Sequence, residues 1–357
     1  MLDYLIIGYG IAGALLAAEL RRRGATYAVV DRAPFESSSR VAAGIWAPLT
    51  GLHVARAPWA QQMLEAAAQV YPELERETNS QFYFPQRVYR VFKSPLQQER
   101  WLQHRGLPRG PEFLSAWLPP ESFPTCINAP RGGVEIFGGG RVDTQLMIDG
   151  LRQMEARAGR LFEAEFQPDD LRMTDEHLAW RELTARHVVF CMGSSSLAGT
   201  PFAWVPFKST RGDILTVAAD CELDGIYHGA RFLAPAGGGF YRVGASYVHG
   251  ETTARPGAAE RTAIEKDLEQ MLRVPFRTVD HRAGLRPNTL DNVAVLGSLP
   301  YDRRVLVFNG LGSKGVLQAP LLARLLLNYS MNGDALPPEL DVARFLKRWI
   351  QAWRLHG

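Results

Sequence analysis

A βαβ unit at the start of the chain, residues 4–31, constrains the fold more than any other segment. An apolar strand leads into Gly8, Gly10 and Gly13, and a helix and a second apolar strand ending at Asp31 follow. In a G-x-G-x-x-G turn the first glycine permits the tight bend, the second lets a pyrophosphate approach the backbone, and the third lets helix and strand pack closely. The helix N-terminus attracts the phosphates, and the terminal acid accepts from a ribose hydroxyl. The segment predicts a dinucleotide site and leaves the choice between NAD and FAD open.

Composition is that of a globular chain large enough for two domains. It has 357 residues, of which 46% are hydrophobic and 22% are charged, as in ordinary folded proteins. The 40 Lys and Arg residues nearly balance the 37 Asp and Glu residues, leaving a net charge of +3. So small an excess makes nucleic acid an improbable partner.

The cysteines and the apolar segments bear on the compartment. Cys126, Cys191 and Cys221 have the spacing of neither a disulfide framework nor a metal site, so we expect reduced thiols and no metal. The first strand begins by about residue 3, and no apolar run reaches the ~18 residues that a membrane span requires. We therefore predict a cytoplasmic protein with no signal peptide and no membrane contact; the sequence indicates no oligomeric state.

Strand and helix patterns alternate along the rest of the chain. Small and polar residues predict a loop and a short helix start over residues 36–51, and strands with Pro-rich turns are predicted over 81–140. Apolar strands are predicted at 161–166 and 187–193. Helical periodicity covers four further segments, at about 57–78, 143–159, 257–273 and 315–329.

These patterns predict an α/β fold, α+β overall, with a Rossmann-like dinucleotide-binding domain interleaved with an antiparallel-sheet substrate domain. The dinucleotide-binding domain is assigned to residues 1–80, 141–205 and 283–357, and the substrate domain to residues 81–140 and 206–282. Because the chain crosses between the two bodies several times, both domains are discontinuous. We expect the active site where they meet.

Four segments together resemble the FAD-dependent amine oxidases of the D-amino-acid oxidase, glycine oxidase and sarcosine oxidase type. They are GYGIAG with Asp31, SSSRVAAGIWAPL at 37–49, AGLRPNTLDNVAVLG at 283–297, and FNGLGSKGVLQAP at 308–320. Their order and spacing favour FAD over NAD. The resemblance implies noncovalent FAD, because no cysteine occurs near Gly284 and Leu285, where sarcosine oxidase links its flavin.

The resemblance also implies a set of FAD contacts. Ala42, Ala43 and Gly44 are small enough to let the backbone lie beside a flat aromatic ring. The full predicted set is Gly8, Gly10, Gly13, Asp31, Arg40, Ala42, Ala43, Gly44, Ile45, Phe166, Gly193, Gly310, Gly312, Ser313, Lys314 and Gly315.

Two arginines are candidate catalytic residues. Arg286 lies in a short apolar stretch, where a bidentate carboxylate is the natural partner of a guanidinium. The resemblance assigns that partner to the substrate, and an ion pair with Asp213 or Asp291 is the alternative. Arg242 resembles, by register, the sarcosine oxidase lysine that assists reaction with dioxygen near flavin N5. A solvated strand face is the alternative for Arg242.

Four further residues complete the predicted pocket. Lys314 opens a helix that would stabilise negative charge on the reduced flavin, or it holds the substrate carboxylate. Phe232 stands where glycine oxidase has a tyrosine that reaches the substrate, and Tyr247 offers a hydroxyl from across the pocket. Trp46 either walls the pocket or fills the interdomain core. The predicted catalytic residues are thus Arg286, Arg242, Tyr247 and Lys314, and the predicted pocket residues are Trp46, Phe232, Tyr247 and Arg286.

The resemblance implies oxidation of the C–N bond of a small amino acid or N-substituted glycine, by hydride transfer from the neutral amine to flavin N5. Dioxygen or another acceptor would take the electrons. The sequences GLGSKG and GASY also resemble the FAD domain of a bifunctional enzyme that demodifies a tRNA wobble uridine. A non-catalytic flavin-binding protein is a further alternative, and a filled pocket around Trp46 and Phe232 would be its sign.

Overall fold

The computed structural model describes residues 1–32, 37–50, 55–56, 59–106, 110–194 and 199–350. Residues 36 and 51 of the loop predicted at 36–51, and the first two residues of the helix predicted at 57–78, lie outside these ranges. The helices of the described ranges are α1 (Ile11–Arg22), α2 (Ser38–Val41), α3 (Ala60–Thr78), α4 (Pro95–Arg105), α5 (Gly110–Phe113), α6 (Thr144–Arg157), α7 (Ala258–Met271) and α8 (Gly315–Asn332). No helix in the described ranges is long and apolar enough to cross a membrane.

Although α4 and α5 lie within residues 81–140, where only strands and turns were predicted, strands occur in each segment for which they were predicted. They are β1 (Leu2–Ile7), β2 (Tyr27–Asp31), β3 (Ile45–Trp46), β4 (Leu49–Thr50), β5 (Ala55–Arg56), β6 (Tyr83–Pro85), β7 (Arg87–Val91), β8 (Gly133–Ile136), β9 (Gly140–Val142), β10 (Leu161–Glu163), β11 (Leu171–Met173), β12 (Leu178–Trp180), β13 (Leu183–Phe190), β14 (Phe207–Ala219), β15 (Gly225–His228), β16 (Phe232–Gly237), β17 (Phe240–Gly244), β18 (Val248–His249), β19 (Phe276–Thr289), β20 (Val295–Ser298) and β21 (Val305–Asn309).

The first sheet contains the βαβ unit. Strands β10, β2, β1, β13 and β21 lie side by side and parallel, while β12, β11 and β20 add antiparallel pairs. β1 and β2 are buried along most of their length, as expected for parallel strands covered on both faces. The strand, helix and strand predicted for residues 4–31 are all present, and the predicted fold class is confirmed.

The second sheet has the strand order β18-β14-β17-β16-β15-β7-β8, with β19 on the other edge of β14. All its pairs are antiparallel except β15 with β7. The long β14–β19 pair runs from Phe207 opposite Thr289 to Ala219 opposite Phe276. This register brings Gly212 opposite Gly284 and Thr210 opposite Arg286. A small three-stranded sheet has the strand order β3-β9-β6.

The prediction of three reduced cysteines is wrong. Cys126 and Cys221 form a disulfide with their Cα atoms 5.9 Å apart, whereas Cys191 is a buried free thiol. Both bonded cysteines belong to the apolar cluster of the second sheet, together with Tyr89 and Phe123. Their separation of 95 residues matches no short-range cysteine pattern, so spacing alone could not identify the pair. The cysteine content therefore no longer supports a reducing compartment.

Candidate active site

A cavity of about 670 Å³ lies between the two large sheets. On the first-sheet side it is lined by the N-terminal ends of α1 and α8 and by the segment 38–47 that includes α2. On the second-sheet side the cavity is lined by a row of residues that lie opposite one another on neighbouring strands. This registered row consists of Ile214, Gly244, Phe232, His228 and Arg90. Trp46 and Phe232 also line the cavity, so the space beside them is open. An open space counts against the alternative of a non-catalytic protein with a filled pocket.

The glycine turn below the cavity has the close approaches that its sequence predicts. A Cβ added to Gly13 would lie 2.0 Å from the carbonyl oxygen of Gly8, so α1 packs directly on the turn. Gly8 itself has a φ of +97°, a conformation that favours glycine. Gly10 caps α1 without a side-chain hydrogen bond and lines the cavity. Ser39 Oγ accepts from the Ile11 N–H at 3.1 Å.

The carboxylate of Asp31, the predicted ribose acceptor, already has two partners in the chain. The Tyr9 N–H donates to Oδ1 at 2.9 Å, and Arg152 donates to Oδ2 at 2.5 Å. Burial raises the pKa of Asp31 despite these contacts. Asp31 therefore joins the glycine turn to α6 through Arg152, and its contact with a ribose stays a prediction.

The segment of small residues lies along the cavity wall. Ala42, Ala43, Gly44 and Ile45 all line the cavity. Gly44 has a φ of +68°, and a Cβ there would lie 1.8 Å from the carbonyl oxygen of Val142. Glycine is consequently required at this position by the contact with β9, whether or not a flat ring lies against the segment.

A second glycine-rich turn leads into α8. Gly312, Ser313, Lys314 and Gly315 line the cavity, as does Gly193 at the end of β13, whereas Gly310 does not. Lys314 is the N-cap residue of α8, and no side chain caps that helix end.

Asn309 is a cavity residue that the sequence analysis missed. Its Nδ2 donates to the carbonyl oxygen of Gly193 at 3.0 Å, and its Oδ1 accepts from the Gly310 N–H at 2.8 Å. It therefore ties two predicted FAD segments, at Gly193 and at Gly310, to each other. The only sequence signal was its position next to the glycine turn.

The guanidinium of Arg286 faces the cavity beside a glycine. Nη1 donates to the carbonyl oxygen of Ser246 at 3.1 Å, and the guanidinium lies 4.4 Å from the ring centroid of Tyr247. A Cβ on Gly212 would lie 2.0 Å from Nη2. Burial lowers the pKa of Arg286. No carboxylate in the described part of the chain forms an ion pair with Arg286.

The two acids considered as partners of Arg286 are paired elsewhere. Asp291 pairs with Arg344 at 2.8 Å. Asp213 is fully buried and pairs with Arg211 at 3.2 Å and His281 at 3.0 Å.

Asp213 also accepts from Ser246 Oγ at 2.8 Å and from the Gly257 N–H at 2.8 Å. Burial opposes ionisation of Asp213, but these hydrogen bonds and that of His281 lower its pKa overall. Asp213 thus holds Ser246, whose carbonyl oxygen orients Arg286.

Arg242 does not line the cavity, and its predicted role near flavin N5 stays a prediction. Its Nη2 donates to the carbonyl oxygen of Val41 at 2.6 Å, and its Nε has no partner among the described residues. Burial lowers the pKa of Arg242, which counts against the alternative of a solvated strand face. The guanidinium thus contacts the segment 41–44 at its first residue.

We expect Arg242→Met to weaken FAD retention instead of selectively slowing reoxidation. The substitution removes the donor to Val41, and a hydrogen bond from a charged group contributes about 1.5–3 kcal/mol, which corresponds to a rise in the FAD Kd of roughly 10- to 100-fold. The flavin-to-protein absorbance ratio after desalting measures retention, with the exposed Arg277→Met as control. Full retention with a tenfold slower reoxidation in stopped flow would instead support a role near the flavin.

The three predicted pocket residues besides Arg286 all line the cavity. Trp46 is 4% exposed, donates from Nε1 to Gly138 at 3.1 Å and stacks on Tyr83 with centroids 5.0 Å apart. Trp46 therefore both fills the protein interior and forms part of the cavity wall. Phe232 lies in the registered row of the second sheet, and Tyr247 is 61% exposed at the cavity edge.

The predicted FAD contacts that do not line the cavity are Gly8, Gly13, Asp31, Arg40, Phe166 and Gly310, and the side chains of Arg40 and Phe166 are held elsewhere. Arg40 forms an ion pair with Asp149 on α6. Phe166 is buried in an apolar cluster behind the first sheet, where it packs edge-on against Phe190 at 5.6 Å. Neither side chain is available to line the cavity, because in each case another element of the chain already occupies it.

A group of nitrogen-bearing side chains in the cavity was also missed. Arg90, Lys93, His228 and Arg231 line the cavity, and Arg231 is neutralised by Asp267 at 2.6 Å. They come from β7, β15 and the adjoining loops, which carry no recognisable motif. Only the sheet register brings them together.

Comparison with known proteins identifies the family. A sequence profile described as DAO, FAD dependent oxidoreductase, matches residues 3–328. The chain belongs to the DAO family. It is therefore an FAD-dependent oxidoreductase, and the predicted enzyme class and cofactor are confirmed. Noncovalent attachment of the FAD stays a prediction.

Individual relatives of this DAO-family chain include amine oxidases and a tRNA-modifying protein. Glycine oxidase from Bacillus cereus shares the fold with a TM-score of 0.81, at 20% identity over 94% of this chain and 96% of that chain. Glycine oxidase from Bacillus subtilis is 30% identical over 187 residues, 49% of this chain and 46% of that protein. The tRNA 5-methylaminomethyl-2-thiouridine biosynthesis bifunctional protein MnmC from Marinobacter nauticus is 27% identical, over 90% of this chain and 54% of that protein. The chain spans about half the length of these two curated relatives.

The residues around the cavity of this DAO-family enzyme fit FAD. The first-turn N–H groups of an α-helix have no acceptor within the helix, and no side chain of Gly10 or Lys314 caps α1 or α8. Apart from the Ile11 N–H, which donates to Ser39, the two helix ends therefore offer donors and positive dipole ends to anionic parts of the cofactor. The close contact of Gly13 with Gly8 lets α1 begin directly at the turn, which leaves the backbone accessible to a pyrophosphate.

Proposed function

We propose that this enzyme oxidises the C–N bond of a small amino acid or an N-substituted glycine whose carboxylate binds Arg286. The observation that carries the proposal is the guanidinium of Arg286, which faces the cavity without a carboxylate partner in the described chain, in a position that the missing side chain of Gly212 makes possible. A buried cation without a counterion is costly. A substrate carboxylate, which a guanidinium can bind through two parallel hydrogen bonds, removes that cost.

The roles of the surrounding side chains follow from their positions. Tyr247 stacks on Arg286 and presents its hydroxyl at the cavity edge, where it can donate to the same carboxylate. Lys314 supplies a positive charge at the N-terminus of α8. Of the described residues that line the cavity, none is Asp or Glu. The chain therefore orients the substrate, and no carboxylate is in place to abstract a proton from carbon.

FAD, when bound, would supply the acceptor for a hydride from the neutral amine. We propose dioxygen as the final acceptor of the electrons. Orientation of the α-carbon is then the main contribution of the protein to the rate, because correct positioning can account for a large share of a reaction barrier. The iminium product leaves the cavity and hydrolyses in water.

An amine panel tests this function. The purified holoenzyme is mixed anaerobically with glycine, N-methylglycine, N-ethylglycine and small D- and L-amino acids, and flavin absorbance near 450 nm is followed. We expect at least one carboxylate-bearing amine to bleach the flavin, the matching amine without a carboxylate to do so at least a hundredfold more slowly, and readmitted air to restore the colour with release of peroxide. Bleaching by none of these amines would reject the proposal.

A second candidate is oxidation of a carboxymethylamino group carried by a modified tRNA uridine. The alignment of MnmC over 90% of this chain favours it. Such a group is itself an N-substituted glycine, so Arg286 would bind its carboxylate in the same way. The two candidates separate in the same assay: bleaching by the modified tRNA and by none of the free amines would select the tRNA substrate.

A further inference from the structure

The cavity has a second cationic region, the Arg90 end, formed by Arg90, Lys93 and His228. Arg90 and His228 face each other in the register of β7 and β15, and His228 is in turn opposite Phe232. Lys93 follows two residues after β7 and is exposed at the rim. The glycine turn and the helix ends that fit FAD belong to the opposite wall, so this region is separate from the phosphate-binding features.

Arg90 has no anionic partner in the described part of the chain. Its Nε forms no hydrogen bond, and its guanidinium lies 5.3 Å from the ring centroid of Trp101. Burial alone lowers the pKa of Arg90, to about 10. Asp267, whose charge acts on Lys93, is paired with Arg231. A cation–π contact offsets only part of the cost of burying a guanidinium. Arg90 is thus a charged group in place for a ligand.

His228 adds a polar group without a partner. Its Nε2 is buried and unbonded, and burial followed by the charge of Arg90 lowers its pKa to about 3. The imidazole is therefore neutral at physiological pH, and one ring nitrogen carries a hydrogen that it can donate. Burial lowers the pKa of Lys93, as do the charges of Arg231 and Arg90, against the effect of Asp267. Arg90 and His228 thus form the desolvated part of the Arg90 end, and Lys93 forms its exposed rim.

The Arg90 end and Arg286 cannot bind the same small group. Arg286 is on β19, and β14, β17, β16 and β15 lie between β19 and β7. With neighbouring strands about 4.8 Å apart, the two regions hold separate groups of an elongated ligand. Ile214 and Phe232 line the cavity on β14 and β16, two of the strands between β19 and β7, and offer apolar contact to the chain that joins those groups.

We infer that the Arg90 end binds a second anionic group of the substrate, a carboxylate or a phosphate, at the far end of the molecule from the carboxylate held by Arg286. This inference rests on the proposed function, and it narrows the substrate class to elongated amines with an acid at each end. Arg90 and His228 then determine specificity for the tail and take no part in the bond changes.

The test compares two series of N-substituted glycines of equal chain length, one with an alkyl tail and one with a terminal carboxylate or phosphate. Anaerobic flavin reduction gives kcat/KM for each. We expect the parent enzyme to prefer the acidic tails at least tenfold, Arg90→Met to lose that preference, and Arg90→Lys to keep part of it. Arg87→Met is the matched control, because Arg87 is on the same strand but exposed and paired with Asp224, and it should retain the full preference.

The same preference in Arg90→Met as in the parent enzyme would overturn the inference. A carboxylate preference without a phosphate preference, or the reverse, identifies the group. If Arg90→Met does not fold, His228→Phe is measured in its place and should reduce the preference at least threefold. If no amine reduces the flavin, the proposed function fails on its own. The subsite is then tested by comparing the shift of the flavin spectrum caused by α,ω-dicarboxylates with that caused by monocarboxylates. Arg90→Met should abolish the difference between them.

Discussion

Replacement of Arg286 by alanine is expected to lower kcat/KM for a carboxylate-bearing amine by about 100- to 1000-fold, equivalent to roughly 3–4 kcal/mol. The guanidinium lies beside Gly212 and is oriented by the carbonyl oxygen of Ser246, so its loss removes both the charge and the fork that bind the carboxylate. The defect should be confined to such substrates. An amine lacking a carboxylate should react at nearly the parent rate.

Two further variants separate charge from geometry. Arg286→Lys keeps the charge and loses the fork, so about a tenfold defect is expected. Gly212→Ala leaves Arg286 intact but adds a Cβ that would lie 2.0 Å from Nη2, and it should therefore resemble Arg286→Lys. Unchanged reduction kinetics in Arg286→Ala with every carboxylate amine would remove Arg286 from the substrate site.

Substitution of Gly13 by leucine is expected to give apoprotein or insoluble chain. A Cβ at this position would lie 2.0 Å from the carbonyl oxygen of Gly8 and 3.3 Å from the side chain of Ile6. Because the nearest atom belongs to the backbone, no rotamer change relieves the contact, and α1 must move away from β1. The flavin-to-protein ratio and the thermal midpoint of the purified chain measure the effect.

Gly13→Ala should show the same defect in weaker form, since the clash begins at Cβ. Gly106→Ala is the matched control, because Gly106 has a φ of −71° and its Cβ would only approach Gln103 at 3.3 Å. It should bind FAD fully. Full flavin occupancy in Gly13→Leu would mean that the turn does not hold the cofactor as proposed.

The first sheet was predictable because its signals are local. The βαβ unit places strand, glycines and helix within residues 4–31, and each short segment already favours its final conformation. Arg286 could be singled out for a similar reason, since a guanidinium in an apolar stretch requires a partner. Whether that partner was Asp213, Asp291 or a ligand depended on where β14 and β19 pair, which no local pattern specifies.

The features that the sequence could not predict arise from contacts between distant segments. Arginine is a residue type that can serve as a cation beside a cofactor. In the structure, however, the position of β17 directs Arg242 to the carbonyl oxygen of Val41, 201 residues away in the sequence. Arg90 and His228 have no motif and meet only through a parallel pair of strands. Cys126 and Cys221 likewise meet through the packing of the second sheet. Residue type indicates what a side chain can do, and long-range register decides where it does it.

The pairing of the first sheet also orders the assembly of the protein during synthesis. β1 lies between β2 and β13, and β13 in turn pairs with β21, so β1 has one neighbour that is made more than 150 residues later. Non-local pairing of this kind delays folding until both partners are present. The glycine turn after β1 is likewise translated well before the α8 end of the same cavity. A nascent chain consequently carries an incomplete nucleotide site until α8 has been made, and the cofactor can be captured only after that point.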